Sequence, residues 1–371
     1  MLWFVLGHLV GLLVDLLTTT RRIEGDKDLQ ILVLQHQLRL LQRARPQPPR
    51  LSRWEKLTLA VLTAKLAHLT ASPRAQVDQV LLLVSSEYGS LTPGRDRPIL
   101  LGSGERPNVP EGAAELRPVI AEHCQLIRED LAFLPEPLPA ADFAVVLGGD
   151  GSILRAAKLM GSEQLPILGV NMGKLGFLAW HSPADIPTTL PEVAAGDCRI
   201  VEHLMFRCSL LRDGKVLESH LGLNEAVIAT GHPFTLLNVH LYVDGELATT
   251  YACDGLIIST PVGSTAHSLS AGGPILRSTL AGFVIVPICP HTMTVRPVVD
   301  TAERVYEMEV LQPNPGTSLV VDGRVVGHLV AGDRVRVERA DSTFKLIAAS
   351  GHTYYHTLRD KLGWAGNIYR K

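Results

Sequence analysis

The run VVLGGDGSILRAA, residues 145–157, constrains this chain more than any other stretch. Ala144 to Leu147 is uniformly apolar and stops at Gly148, Gly149, Asp150 and Gly151, after which a helical pattern begins near Ser152. An apolar run that does not alternate and ends in glycines reads as a parallel strand buried on both faces. A strand passing straight into a helix is half of a βαβ unit, so the segment predicts an α/β, Rossmann-like domain around a parallel sheet. The glycines leave no Cβ between backbone N–H groups and an approaching phosphate chain, and the helix start adds the positive end of its dipole. A carboxylate among such donors is a poor phosphate ligand, but it suits a hydroxyl nucleophile that must lose its proton, or a bound magnesium ion. The plainer reading of the same letters is a tight strand-to-helix turn with Ser152 as the N-cap.

A chain of 371 residues is long for one domain and sufficient for two, each with its own core. Around the glycine turn, strand and helix patterns alternate: DQVLLLVS (78–85) as a strand, a Gly/Pro/Arg-rich loop to about Pro110, a helix near Glu111–His123, and LPILGV as another strand. These place an α/β nucleotide-binding domain over 76–180. From about His181 the texture changes to alternating runs such as RCSLLRDGKVLESHLG and LNVHLYVDGELATTYA, each broken by Asp-Gly. Asp-Gly between alternating strands predicts hairpins with type I′ turns, which need positive φ at both central residues. An all-β-rich C-terminal domain is therefore expected over 181–348. The closing YYHTLRDKLGWAGNIYRK, within 349–371, reads as a short helix packing back on the α/β domain.

Residues 1–70 read as a helical appendage. Its opening MLWFVLGHLVGLLVDLL is near the lower limit of a membrane-spanning length, but His8 and Asp15 interrupt it, no Lys or Arg precedes it and no small-residue cleavage site follows. Secretion and membrane attachment are not expected. From Asp26 a leucine-rich, heptad-like run predicts an amphipathic helix. That segment resembles the leader of some bacterial transposase and integrase-like proteins, which implies a fused fragment or a misplaced start. The formal net charge of −2 argues against broad binding to nucleic acid, so an anionic ligand must be held locally. Cys124, Cys198, Cys208, Cys253 and Cys289 are widely spaced with no Cys-x-x-Cys pair, a pattern that fits a reducing cytoplasm and offers no structural zinc site. The histidines form no His-Glu-x-x-His arrangement.

Other phosphate and nucleophile motifs fail on inspection. Gly173-Lys174 lacks the Ser or Thr of a P-loop, and Gly102-Ser103-Gly104 has Pro107 where a dinucleotide fingerprint needs glycine. LNEAVIATG sets Asn224 beside Glu225, an amide and a carboxylate that can read an adenine edge or a ribose diol, though the pair also fits a solvated turn. YACDGLIISTPVGSTAHSLSAGGPIL, residues 251–276, is dense in backbone and hydroxyl donors. It holds no nucleophile elbow, because Ser268 stands where Ser270 would need a glycine. A polar loop of a β-domain, with Asp254-Gly255 as one more turn, accounts for it equally well.

Taken in order, GGDG, GVNMGKLGFL, NE and DGLIISTPVGSTAHSLSAGGPI resemble the hallmark motifs of the NAD kinase family, and the resemblance runs over about residues 76–364 through VPICPHTMTVRPVV and TLRDKLGW. It implies that NAD binds at the junction of the two domains and between subunits of a homodimer or homotetramer. It also implies that Asp150 is the proton acceptor, with Gly151 its neighbour in the nucleotide site and Arg155 a further contact. Asn224 and Glu225 would contact the NAD, Asp254 would lie near the nicotinamide end, and Thr265, Ala266, His267, Ser268, Leu269 and Ser270 would surround the adenosine. Thr235, Ala252, Val262 and Arg324 complete the implied set. Three positions depart from the family: His267 replaces a usual tyrosine, Ala252 a frequent arginine, and Arg324 a common glutamine. These departures bear on the choice between NAD and NADH.

The implied reaction is direct transfer of the terminal phosphate of ATP, with Mg²⁺, to the 2′-hydroxyl of the adenosine ribose of NAD. A carboxylate is a weak base, so the larger contribution expected of Asp150 is aiming the hydroxyl. Two rivals remain at this level: a lipid kinase sharing the Gly-Gly-Asp-Gly turn, and a sensor that holds NAD without turning it over.

Overall fold

The computed structural model describes residues 88–90, 96–173, 176–348 and 354–362. The strand expected at 78–85, the appendage of residues 1–70 and its transposase-like leader lie outside the described residues. In chain order the first elements are β1 (Tyr88–Ser90), β2 (Pro98–Gly102), α1 (Asn108–His123), β3 (Arg128–Asp130), β4 (Phe143–Leu147), α2 (Asp150–Met160), β5 (Ile167–Val170) and α3 (Ile186–Ala195). A β-rich stretch follows: β6 (Arg199–Arg212), β7 (Lys215–Gly222), β8 (Glu225–Ala229), β9 (Leu237–Val243), β10 (Glu246–Cys253) and β11 (Gly255–Ser259). After the one-turn α4 (His267–Ser270) come β12 (Gly282–Ile288), β13 (Val298–Thr301), β14 (Tyr306–Val310), β15 (Ser318–Val321), β16 (Arg324–His328), β17 (Arg334–Ala348) and α5 (Tyr354–Leu362).

Strands β3, β2, β4 and β5 are parallel neighbours in that order. Every residue of β2, β4 and β5 is buried, because one face packs with residues of α1 and α3 and the other with residues of α2. One expectation is corrected here. The segment read as a loop up to Pro110 contains β2 and the start of α1. PILLG is a five-residue buried run, and its proline occupies the first strand position, where a missing N–H is tolerated. Pro107 and Pro110 likewise sit at the start of α1, where N–H groups have no partner within the helix. The stretch expected to be β-rich also holds the helix α3. Ile186, Leu190 and Val193 recur at helical spacing and are buried with α1, and Gly196 ends the helix in the left-handed conformation.

The six-stranded sheet β13-β12-β11-β8-β15-β16 is antiparallel throughout. It packs against β6, β9, β10, β14 and β17 across a core that includes Phe206, Ile258, Phe283, Tyr306 and Val335. The Asp-Gly turns adopt positive φ at both residues: Asp213 and Gly214 at 50° and 74°, Asp244 and Gly245 at 52° and 83°, Asp322 and Gly323 at 47° and 75°. They are the type I′ hairpins that the sequence predicts.

One strand belongs to both halves. The first residues of β17, Arg334 to Val337, pair with β14, whereas Leu346 near its end pairs in parallel with Ile167 of β5. Strand β6 runs beside β17 almost throughout, with a register shift between Arg339 and Thr343. Among the described residues no helix is long and apolar enough to cross a membrane.

Candidate active site

Helix α2 begins at Asp150 with Gly149 as its N-cap, so Ser152 is a residue of the first turn and not the cap expected of it. Gly148 has φ 138° and lies so close to the Ser152 side chain that a Cβ there would collide with it. Gly149 and Gly151 face open space instead. The Asp150 carboxylate turns toward a neighbouring loop, where Oδ2 accepts the Phe177 N–H at 2.8 Å and Oδ1 accepts those of Leu178 and Ala179 at 2.9 and 3.2 Å. A Cβ on Gly176 would run into this carboxylate. Gly176, Phe177, Leu178 and Ala179 therefore act as a bracket that sets the direction of the catalytic candidate. The ammonium of Lys361, on α5, lies 5.8 Å from the Phe177 ring, against the same loop.

Glu225 opens β8 with Asn224 just before it, and a third carboxylate, missed in the sequence, holds them in place. Asp322 accepts the N–H groups of Leu223, Asn224 and Glu225 at 2.8, 2.7 and 3.1 Å, and its own N–H donates to the Glu225 carbonyl at 3.0 Å. The Asn224 carbonyl accepts the Thr260 N–H at 2.9 Å and the Ser259 hydroxyl at 3.1 Å, and Gly263 passes too near it for any Cβ. Glu225 is 4% exposed and its Oε2 has no hydrogen-bond partner. Burial, reinforced by the nearby Asp322 charge, pushes its carboxyl up to about 8. Burial also raises the Asp322 carboxyl above the ordinary range, against the pull of the three N–H donors and Lys158.

Val262 joins the two motifs, because it is buried in one cluster with Ile153, Leu178, Ala179 and Leu223. Beyond it, Gly263–Thr265 form a 3-10 turn leading into α4. The Thr265 hydroxyl bonds the Val262 carbonyl at 3.0 Å. His267 and Ser270 are exposed, Ala266 and Leu269 half-buried, and Ser268 is buried with its hydroxyl unpaired.

A cavity of about 460 Å³ opens beside Gly151, bounded by α2, β7 and the β15–β16 turn. Its lining includes Arg155, Lys158, His220, Asp322 and Arg324. Three residues expected in the site, Gly151, Arg155 and Arg324, thus line one cavity. Lys158 was not anticipated, although Gly151, Leu154, Arg155 and Lys158 fall on one helical stripe in the sequence. Arg155 donates to the Ala132 carbonyl at 3.1 Å, and its guanidinium lies 4.7 Å from the Phe133 ring centre.

Thr235, Ala252 and Asp254 are elsewhere. In the pairing of β8 with β11, Glu225 opposes Ser259 and Ala229 opposes Gly255. Asp254 therefore lies at the far end of these strands, roughly 16 Å from the Glu225–Ser259 end at 3.3 Å per residue. There its carbonyl accepts the Thr230 N–H at 2.8 Å, the Thr230 hydroxyl donates to the Thr235 carbonyl at 2.9 Å, and the Ala252 carbonyl accepts the His291 N–H at 2.9 Å. One chain alone does not bring these three residues to Asp150.

Comparison with known proteins identifies the family. Residues 104–198 match the model of the ATP-NAD kinase N-terminal domain and residues 223–349 that of the ATP-NAD kinase C-terminal domain. An NAD kinase of Rhodopirellula baltica is 50% identical over 273 residues, covering 73% of this chain and 88% of its own. An NAD kinase of Geobacter sulfurreducens is 42% identical over 232 residues, covering 62% and 82%. Among solved structures, an NAD kinase from Archaeoglobus fulgidus in complex with ATP superposes with a TM-score of 0.57 at 25% identity, over 73% of this chain and all of that one. A yeast NADH kinase complexed with NADH gives 0.66 at 21% identity, over 74% and 89%, and shares the fold. The chain belongs to the NAD kinase family.

Proposed function

We propose that this protein transfers the terminal phosphate of ATP to the 2′-hydroxyl of the adenosine ribose of NAD, with Asp150 as the proton acceptor. The observation that carries the reading is the fixed carboxylate of Asp150 at a glycine front, joined through Val262 to the Asn224–Glu225 pair. As the O2′–P bond forms and the bond between the terminal phosphorus and its bridging oxygen breaks, the hydroxyl proton passes to Asp150 and ADP leaves. The N–H donors behind Asp150 keep the carboxylate aimed, and aim is the larger part of its effect. Asn224 presents an amide to the ribose or adenine, and the unpaired Glu225 Oε2 is a second polar contact that the dinucleotide would satisfy. The loop from Thr265 to Ser270 follows the adenosine.

Among the described residues no three His, Cys, Asp or Glu side chains gather into a metal-binding group. The donor set fits magnesium held mainly through phosphate oxygens and water, as that ion prefers, with Asp150 the nearest carboxylate at the glycine front. Bound so, it would offset charge on the terminal phosphate.

The separation of Asp254, Thr235 and Ala252 from Asp150 supports a homo-oligomer in which these residues complete a partner subunit's site. Phe234 and Leu236, which flank Thr235, and Met293, two residues after the His291 bonded to Ala252, are exposed by 70%, 40% and 92% and give that end an apolar surface suited to such contact. The free state of all five cysteines is in keeping with a cytoplasmic protein.

The test is incubation of the full chain with ATP, magnesium and NAD, with NADP measured by a coupled dehydrogenase. NADP formation is expected. Binding of NAD without turnover would replace the enzyme by a sensor, and phosphorylation of a sphingoid base or diacylglycerol in place of NAD would make it a lipid kinase.

A further inference from the structure

We infer that His203, buried on β6, is a positioning residue for the acceptor: its Nδ1–H, bonded to the Ser278 carbonyl, sets the segment after α4 against which the adenosine loop is seated. The inference rests on the kinase reading and deepens it by naming a residue that touches neither substrate.

His203 is 2% exposed, and its Nδ1 lies 3.2 Å from the Ser278 carbonyl oxygen. A carbonyl can only accept, so the contact puts the ring proton on Nδ1 and leaves a lone pair on Nε2. Nε2 is buried and has no hydrogen-bond partner among the described residues. Burial pushes the ring down to about 4, against the pull of the Ser278 carbonyl, so it is neutral near pH 7. A neutral ring with one nitrogen stranded is a poor way to fill a core, since an apolar side chain of similar shape leaves nothing unpaired. What the histidine supplies, and an apolar ring does not, is the directed bond to residue 278.

The two ends of that bond belong to two parts of the acceptor site. On one side, the ring is the cross-strand neighbour of Phe344 on β17, with centroids 5.8 Å apart and planes 28° from parallel. Phe344 is buried in the cluster that holds Val262, Leu223, Leu178 and Ala179, where the Asp150 bracket meets the Asn224–Glu225 end of β8. On the other side, Ser278 is two residues past Leu276, whose N–H donates to the Ser264 hydroxyl at 3.0 Å. Ser264 is fully buried, donates in turn to the Pro261 carbonyl at 2.6 Å, and lies in the turn that leads into α4. The Gly273 N–H donates to the Ser268 carbonyl at 2.8 Å, at an approach too close for any Cβ. Residues 273–278 thus form a shelf against which the Thr265–Ser270 loop rests, and His203 ties that shelf to the junction at which Asp150 is aimed. A displacement of about 1 Å at the adenosine loop moves the 2′-hydroxyl relative to Asp150, so a tie of this kind acts on where the acceptor sits.

Two substitutions separate the bond from the packing. Phenylalanine keeps a ring against Phe344 and removes the donor; asparagine removes the ring but places an amide N–H where Nδ1 stands. In the full chain, His203→Phe is expected to raise KM for NAD about tenfold with KM for ATP within about twofold of wild type, and His203→Asn to keep both within about twofold. Thermal unfolding is expected in the opposite order, with the phenylalanine variant at least as stable as wild type and the asparagine variant less stable. Activity that follows stability, with asparagine the worse of the two, would make His203 a packing residue and overturn the inference. A wild-type KM for NAD in His203→Phe, or a rise confined to KM for ATP, would overturn it as well. If the phenylalanine ring disturbs folding, His203→Gln takes its place, since its amide reaches toward Nε2 and not Nδ1, and the same KM outcomes decide. Calorimetric titration with NAD alone keeps the inference apart from the kinase reading. If the wild type makes no NADP yet NAD binding is weakened by His203→Phe and kept by His203→Asn, the positioning role stands and the kinase reading falls. If NADP forms and both variants use NAD as the wild type does, the reverse holds. A wild type that neither binds nor phosphorylates NAD would remove both.

Discussion

Asp150 could be singled out from the sequence because its setting is local: an apolar strand, three glycines and a helix start are contiguous letters. What directs its carboxylate comes from Phe177, Leu178 and Ala179, and that contact is visible only in the fold. Replacing Asp150 by Asn keeps the size but puts an NH₂ group against one of those N–H donors. We expect Asp150→Asn to fold normally and lose at least about a hundredfold in kcat, in line with loss of a positioned proton acceptor; near-wild-type turnover would remove Asp150 from the mechanism. Glu225 carries a different prediction. Its carboxyl, pushed up to about 8 by burial with Asp322 adding to it, stays protonated in the folded chain while the unfolded chain has already ionised. Between the ordinary carboxylate range and about 8 the folded state thus holds the extra proton, so stability falls as pH rises through that window and levels off above it. In urea titrations Glu225→Gln should be more stable than wild type at pH 8.5, with the advantage shrinking toward pH 5; parallel curves would mean that Glu225 is ionised in the fold. Asp322 itself was illegible, since its Asp-Gly letters match those of two ordinary hairpins.

At the scale of elements, the turns were readable and some of the strands were not. The Asp-Gly hairpins form as their chemistry dictates, whereas β2 hides among prolines and glycines because its five-residue apolar run is shorter than the punctuation around it. Helix α3 escaped for a related reason: its proline-containing letters follow a stretch of changed texture, and only packing on α1 reveals its side. The hairpins also allow a controlled comparison. Gly245 and Gly323 occupy the same turn position at φ 83° and 75°, both with open space where a Cβ would go. Alanine at either should cost about 1 kcal/mol, the price of left-handed backbone. Gly323 alone lines the cavity and follows Asp322, which holds the Asn224–Glu225 pair, so Gly323→Ala should also lower kinase activity while Gly245→Ala leaves the kinetics intact. Equal kinetic effects would separate the β15–β16 turn from the site.

For the whole molecule, the decisive fact is that three of the residues gathered by family resemblance, Thr235, Ala252 and Asp254, lie at the far end of β8 and β11 from the Asn224–Glu225 pair. Spacing along the sequence cannot show this, because Ala252 and Asp254 follow Tyr251 in the same motif as Thr265, and only the antiparallel register of β8 and β11 sends them to opposite ends. If each site draws on two subunits, a mixture of Asp150→Asn and Asp254→Ala chains, each nearly inactive alone, should regain activity when dissociated and reassembled together. Hybrids as inactive as their parents would confine the site to a single chain. A last consequence concerns β17, whose first residues lie beside β14 while Leu346 lies beside β5. A girder common to both lobes leaves no waist at which the molecule can be bisected. Excising residues 223–349 would strip the α/β lobe of its edge and leave the sandwich without β6, so each fragment should expose bare strand and aggregate, and heating the intact chain should melt both lobes in one cooperative step.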